Sequence, residues 1–77
     1  MNQHYDLELD LSGLTCPMPL LKTKQTLNKM DSGLIVKVMA TDPASERDFK
    51  VFSEQSGVRL LSTEKIADKF VYRLQKP

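Results

Sequence analysis

Near the N-terminus, apolar and acidic residues alternate one by one along the chain. The apolar members of this alternation are Tyr5, Leu7, Leu9 and Leu11. A period of two is typical of a half-buried strand that turns one face to the core. Residues 12–15, Ser-Gly-Leu-Thr, then break the pattern with turn-forming residues. The chain is therefore predicted to open with a strand and a turn.

The next segment, residues 17–30, has the period of an amphipathic helix. One stripe of its side chains is predicted to face a sheet, and this stripe consists of Leu20, Thr23, Leu27 and Met30. Pro17 suits the first helical position, where no amide hydrogen is needed. Gly33 follows and is predicted to end this helix, because glycine readily adopts a positive φ. A second helix is predicted from about residue 43 to 55, with Phe49 and Phe52 as its core stripe.

Three further stretches have the composition of strands. Residues 34–40 form a nearly continuous apolar run, which is typical of a central strand. Residues 58–65 and 70–75 are predicted to form a closing hairpin around a loop at 66–69. The order β-α-β-α-β-β predicts an α+β fold, a two-layer sandwich in which two helices cover one face of a four-stranded mixed sheet. We expect a single domain over residues 1–77, because the length leaves no room for a second.

Composition limits the partners and the compartment. Eleven basic and ten acidic residues leave a net charge of +1, so no strong field draws the chain to nucleic acid or to a membrane. No segment has the apolar length of a signal peptide or a membrane span. A single cysteine excludes an internal disulfide and a cysteine-built metal site. We therefore expect a cytoplasmic protein with a reduced thiol and no bound metal.

The single thiol, Cys16, lies in the stretch Leu-Thr-Cys-Pro-Met-Pro at residues 14–19. A lone cysteine is either a small buried hydrophobe or a nucleophile. Pro17 disfavours helical geometry at Cys16 and so turns the thiol outward, while Pro19 stiffens the first helical turn. The helix N-terminus and the lysines of residues 17–30, a segment without acids, are predicted to stabilise the thiolate and lower the thiol pKa.

Cys16 has no predicted partner for self-contained catalysis. His4, the one histidine, lies near the N-terminus and is expected to be solvated, so a Cys-His pair is not predicted. No second cysteine is available to resolve a disulfide within the chain. A lone activated thiol can still carry one sulfur atom as a persulfide. Beside it, Met18, Leu21 and Lys22 are candidates for a partner-docking surface, although a solvated basic face is the simpler interpretation.

Polar residues near the second helix have structural explanations as well. Asp42 is a candidate N-cap, and Ser45 with Asp48 forms a competing capping box. Arg47 is predicted either to pair with Asp10 or Asp48, or to be solvated. These alternatives stay open at the level of the sequence.

Several of these residues together resemble one known family. The matching positions are Asp10, the run Gly13, Leu14, Thr15, Cys16, Pro17, Met18 and Pro19, the run Thr41, Asp42, Pro43 and Ala44, then Arg47, Asp48 and Tyr72. They are similar to the TusA/SirA-like family of small sulfur-carrier proteins, over almost the whole chain. Two places depart from the family: Ser12, where several members have an apolar residue, and residues 49–52, where several have a proline shortly after the aspartate.

The resemblance implies a fold and a chemistry. It implies the two-layer domain described above, with Cys16 as the persulfide-bearing residue. Its supporting motif residues are Asp10, Gly13, Leu14, Pro17, Pro19, Asp42, Arg47 and Asp48. Sulfur in this family typically comes from a cysteine desulfurase and passes to a downstream relay protein, without a cofactor. The best-known relay ends in tRNA 2-thiouridine, and other members serve sulfur oxidation, molybdenum-cofactor or selenium pathways.

Other functions stay open beside this one. A non-catalytic regulatory or nucleic-acid-binding module is the main alternative, although the near-zero net charge, the lack of a glycine-rich phosphate loop and the absence of tryptophan count against it. A peroxide-sensing thiol is another, and it would form sulfenic acid without a partner protein. The sequence names neither the sulfur donor, the acceptor, the final product nor the oligomeric state. The leading hypothesis is a sulfurtransferase-type carrier without turnover of its own.

Overall fold

The computed structural model describes residues 4–77. Its elements, in chain order, are β1 (Leu7–Leu11), α1 (Met18–Asn28), β2 (Ile35–Ala40), α2 (Ser45–Ser56), β3 (Arg59–Ile66) and β4 (Lys69–Gln75). The predicted order and the α+β class are therefore confirmed. The ends of the elements differ from the predicted ones by a residue or two, which is the usual uncertainty of element boundaries.

The four strands form one mixed sheet in the order β1-β2-β4-β3. β1 pairs in parallel with β2, and β4 pairs antiparallel with both β2 and β3. In register, Leu9 lies beside Val38, and Val38 lies beside Tyr72. The apolar run of β2 thus occupies an interior position in the sheet, as its composition predicted.

The core lies between the two helices and one face of the sheet. Its buried apolar residues are Leu11, Leu27, Met30, Val36, Val38, Ala40, Phe49, Val58, Phe70, Tyr72 and Leu74. In β2 and β4 these residues alternate along the strand, because successive side chains point to opposite faces. The predicted stripe of α1 is confirmed: Thr23, Leu27 and Met30 are buried, and Leu20 packs against the core.

Tyr72 joins the sheet to α2. Its ring stacks on that of Phe49 with the centroids 4.5 Å apart, and its hydroxyl lies 2.6 Å from Ser45 Oγ. Burial raises the pKa of the Tyr72 hydroxyl, while the hydrogen bond with Ser45 acts in the opposite direction. Phe49 is therefore a core residue, as predicted, and its contact with Tyr72 joins α2 to the sheet.

The start of α1 lies one residue later than predicted. Pro17 occupies the cap position with φ −97° and ψ 12°, and Met18 is the first helical residue. Among residues 4–77, no side chain caps this end of the helix. The helix has 11 residues and α2 has 12. Within residues 4–77, no helix combines the length and the apolarity needed to cross a membrane.

Both capping predictions for α2 are wrong. The helix begins at Ser45 after Ala44, and no side chain caps it. Asp42 lies three residues ahead of the helix and its Oδ1 accepts a hydrogen bond from the Ala44 amide at 3.4 Å. Ser45 Oγ is occupied by Tyr72, so Ser45 and Asp48 do not form a capping box. The two aspartates are thereby left for other contacts.

Candidate functional site

Cys16 lies in the turn that joins β1 to α1, at the end of the sheet where β1 and β2 both terminate. Gly13 shapes this turn with a φ of +85°, and its amide donates a hydrogen bond to Thr41 Oγ1 at 2.9 Å. On the other side, the Met18 amide donates to the Thr15 carbonyl at 2.9 Å. The cysteine is thus held between the end of β2 and the start of α1.

The sulfur is exposed while its neighbours anchor the loop. Cys16 is a free and exposed cysteine, as expected, and the peptide bond to Pro17 is cis. Pro19, one residue inside α1, is buried, and Leu14 packs against the core cluster. The apolar members of the motif therefore hold the loop in place and leave the thiol accessible.

Two acidic side chains lie beside the sulfur. Cys16 Sγ donates a hydrogen bond to Asp48 Oδ2 at 3.4 Å, across 32 positions of sequence. Asp42 completes the group, and one ligand atom from each of the three residues lies within 4.8 Å of the others. Asp42 Oδ2 is buried and has no hydrogen-bond partner among the described residues. The thiol therefore lies in an acidic environment formed by α2 and the loop before it.

This environment raises the pKa of the Cys16 thiol. The hydrogen bond to Asp48 is the largest cause, because it stabilises the protonated thiol. Desolvation and the negative charges of Asp48 and Asp42 act in the same direction, and the charge of Arg47 opposes them. The predicted lowering of the thiol pKa is therefore wrong. That prediction considered the N-terminus and lysines of α1 but not the acids that α2 brings to the sulfur.

Arg47 offsets these acids only in part. Its Nε lies 4.0 Å from Asp48 Oδ1, and its side chain is 81% exposed, so the ion pair is weak. Of the predicted alternatives, the structure shows a largely solvated Arg47 side chain that pairs weakly with Asp48 and not with Asp10. Asp10 instead accepts a hydrogen bond from the Ser12 amide at 3.1 Å, and the Ser12 side chain and amide lower the pKa of the Asp10 carboxyl.

A groove with apolar walls begins beside Asp48 and runs between α1 and α2. Its lining includes Leu20, Lys24, Arg47, Val51 and Phe52. Three apolar side chains of the two helices are exposed: Met18 to 38%, Leu21 to 42% and Val51 to 41%. Lys22 is exposed as well. Met18, Leu21 and Lys22, predicted as docking residues, thus lie on the surface near Cys16. Val51 was missed, although an apolar residue three positions after Asp48 could have indicated it.

Cys16, Asp42 and Asp48 are also the one group within residues 4–77 whose spacing suits a metal ion. A structural zinc site usually has four protein ligands, and this group offers three. Cys16 and Asp48 already satisfy each other through a hydrogen bond. The absence of a resident metal stays a prediction.

The comparisons with known proteins agree with this geometry. The family model described as sulfurtransferase TusA matches residues 7–76. The chain belongs to the TusA family. The sulfur carrier protein TusA of Allochromatium vinosum is 46% identical over 94% of this chain and 95% of its own length. The putative sulfur carrier protein YrkI of Bacillus subtilis is 38% identical over 92% of this chain and 95% of its own length.

A solved structure shows the same fold. The SirA-like protein of Desulfitobacterium hafniense superposes with a TM-score of 0.79 at 21% sequence identity, covering 91% of this chain and 96% of that one. The resemblance to the TusA/SirA-like family is therefore confirmed. As a TusA-family sulfur carrier, the chain is expected to work with other proteins of a sulfur relay.

Proposed function

We propose that this member of the TusA family carries one sulfur atom as a persulfide on Cys16. The observation that carries the proposal is the position of its one cysteine, which is exposed at the start of α1. The similarity to the Allochromatium vinosum carrier over nearly the whole chain supports it. The supporting residues we propose are Asp10, Gly13, Leu14, Pro17, Pro19, Asp42, Arg47 and Asp48.

The proposed reaction is a transpersulfidation with a cysteine desulfurase as donor. The thiolate of Cys16 attacks the outer sulfur of the donor's cysteine persulfide, and the donor's S–S bond breaks. The donor cysteine leaves with the electron pair and takes up one proton, which balances the proton that Cys16 has lost. Passing the sulfur on to a thiol of a downstream relay protein repeats the exchange. No oxidant is consumed, and each protein needs only one thiol.

The destination we propose is tRNA 2-thiouridine or a related sulfur relay in the cytoplasm. The final transfer would belong to the downstream protein, since this chain has a net charge of only +1 and no direct nucleic-acid binding is expected. Identifying the acceptor requires a labelled cargo: carrier loaded with radioactive persulfide sulfur is incubated with extract, and the proteins that gain the label are identified by mass spectrometry. An acceptor outside sulfur metabolism would contradict the proposed destination.

Mass spectrometry of the intact protein tests the central proposal. After incubation with a cysteine desulfurase and cysteine, we expect a gain of about 32 Da, one sulfur atom, that reductant removes. Peptide mapping should place the added sulfur on Cys16. Folded protein that gains no sulfur from any of several desulfurases would refute the proposed function.

The docking surface predicts an effect of charge reversal at Lys22. We propose that Met18, Leu21, Lys22 and Val51 contact the donor, because exposed apolar side chains beside positive charge suit transient partners. Lys22→Glu should slow sulfur transfer from the desulfurase roughly 3- to 10-fold at low salt, chiefly by slowing association. Lys29→Glu, the same change at the far end of α1, is the control and should transfer at nearly the wild-type rate. Equal rates for both variants would exclude Lys22 from the docking surface.

A further inference from the structure

The hydrogen bond at Cys16 shows which form of the thiol this structure stabilises. A carboxylate has no proton to donate near neutral pH, so the thiol is the donor in the 3.4 Å contact between Cys16 Sγ and Asp48 Oδ2. The contact exists only while the sulfur keeps its proton. Ionisation would replace it by repulsion between two anions. Asp48 therefore opposes formation of the thiolate that the transfer reaction needs.

The other charged groups that face the sulfur do not reverse this effect. Asp42, from the loop before α2, adds a second negative charge within the 4.8 Å group. Arg47, from α2, is the one cation that acts on the thiol to lower its pKa, and its side chain extends into solvent. From α1 comes only the uncapped N-terminus of the helix. Two acids beside the sulfur thus oppose one solvent-exposed cation and the helix N-terminus.

We propose that Asp48 holds the proton of Cys16 in the free carrier, so that the thiol stays unreactive until a partner engages the Asp48 carboxylate. The inference rests on the proposed function. A carrier meets other thiols and peroxides between its donor and its acceptor, and a thiol that ionises only in a complex reacts with few of them. The partner needs a cationic side chain, because such a group both takes over Asp48 and offsets Asp42.

In the complex, the transfer step releases one proton from Cys16 and returns one to the donor cysteine. As Asp48 turns to the partner's cation, Cys16 Sγ releases its proton to solvent and attacks the outer persulfide sulfur. The donor's S–S bond breaks with the electron pair on the donor cysteine, which takes one proton from solvent. One proton is released and one is taken up, and the transferred sulfur keeps its oxidation state. After donation, Asp48 again accepts the hydrogen bond of the regenerated Cys16 thiol.

The test is the pH dependence of Cys16 alkylation by iodoacetamide, a neutral reagent that Asp48 neither attracts nor repels. Wild type is compared with Asp48→Asn, which keeps the shape of the side chain. Asp31→Asn is the matched control, because it removes the same charge beyond the opposite end of α1. All measurements contain EDTA, which keeps the group of Cys16 and the two aspartates free of metal.

The alkylation rates of wild type and Asp48→Asn are expected to differ near neutral pH and to converge or cross at high pH. Near pH 7, Asp48→Asn should react roughly 3- to 10-fold faster than wild type, because a lower thiol pKa raises the thiolate fraction more than it lowers nucleophilicity. At a pH high enough to ionise both thiols, the difference should vanish or invert, because the less basic thiolate is the weaker nucleophile. Asp31→Asn should follow the wild-type profile at every pH.

Two outcomes overturn the proposal. One is a pH profile of alkylation that Asp48→Asn leaves unchanged. The other is a rate increase of the same size at every pH, which would indicate greater exposure of Cys16 and not ionisation at a lower pH. If Asp48→Asn does not fold, Asp42→Asn takes its place. A smaller increase in the alkylation rate near pH 7 that disappears at high pH supports the proposal, and no increase overturns it. Alkylation needs no partner, so its result is independent of whether a desulfurase can load Cys16.

A second measurement tests release by the partner. With glutathione persulfide as a small donor, Asp48→Asn should accept sulfur about threefold faster than wild type at pH 7. With a cysteine desulfurase as donor, the advantage should disappear, because the partner already engages Asp48 in the wild type. An equal advantage with both donors would contradict release by the partner. Wild type that takes sulfur from neither donor would refute the proposed function and leave the alkylation result standing.

Discussion

Replacing Cys16 by alanine is expected to abolish sulfur acceptance and to leave the fold intact. The chain has no other thiol, so no other side chain can form a persulfide, and the 32 Da adduct should fall to background. The Cys16 side chain is exposed and lies outside the core cluster. Its removal should therefore leave the circular dichroism spectrum and the thermal midpoint unchanged within error.

The same variant separates transfer from binding. Cys16→Ala keeps Met18, Leu21 and Lys22, so it should still bind the desulfurase and compete with wild type for loading. An adduct that persists in Cys16→Ala would contradict Cys16 as the carrier. A salt-sensitive affinity for RNA that survives the substitution would favour the nucleic-acid-binding alternative. Sulfenic acid on Cys16 after peroxide alone, without transfer from any desulfurase, would favour the sensor.

The elements of this fold could be predicted because their signals are local. The alternation that ends at Leu11 depends only on neighbouring residues, and so does the apolar run of β2. Gly57 marks the end of α2 by the same kind of signal, and it adopts the left-handed conformation typical of helix ends with φ +83°. The order of the strands in the sheet could not be predicted from such local signals. Whether β4 pairs with β2 depends on packing between segments whose paired residues lie 30 to 40 positions apart.

The chemistry at Cys16 could be predicted only in part, for the same reason. The exposed thiol follows from Pro17 and from the turn before it, which are adjacent in sequence. The sign of the pKa shift does not, because Asp48 reaches the sulfur from 32 positions away. Read locally, Asp42 and Asp48 have the spacing of helix caps. The tertiary contact took precedence because the Ser45 amide donates to the Asp42 carbonyl at 3.0 Å, which leaves the Asp48 carboxylate free to accept from Cys16.

Phe49→Ala is expected to cause the largest loss of stability among these variants. Phe49 is fully buried and stacks on Tyr72 at 4.5 Å, so truncation leaves a cavity where α2 meets the sheet. Such substitutions cost about 3–5 kcal/mol, against a total stability of roughly 4–12 kcal/mol for a domain of this size. The thermal midpoint should fall by roughly 15–30 °C. Circular dichroism measures both quantities, the free energy of unfolding in a urea titration and the midpoint in a thermal melt.

Val51, an exposed residue of the same helix, provides the control for Phe49→Ala. Val51 lies two residues further on and is 41% exposed, so Val51→Ala should change the free energy of unfolding by no more than about 0.5 kcal/mol. Phe49→Leu should recover most of the lost stability, since it refills the cavity with an apolar side chain. If Phe49→Ala cost no more than Val51→Ala, α2 would not depend on this contact. The position of Asp48 beside Cys16 would then have to be maintained by the rest of the helix.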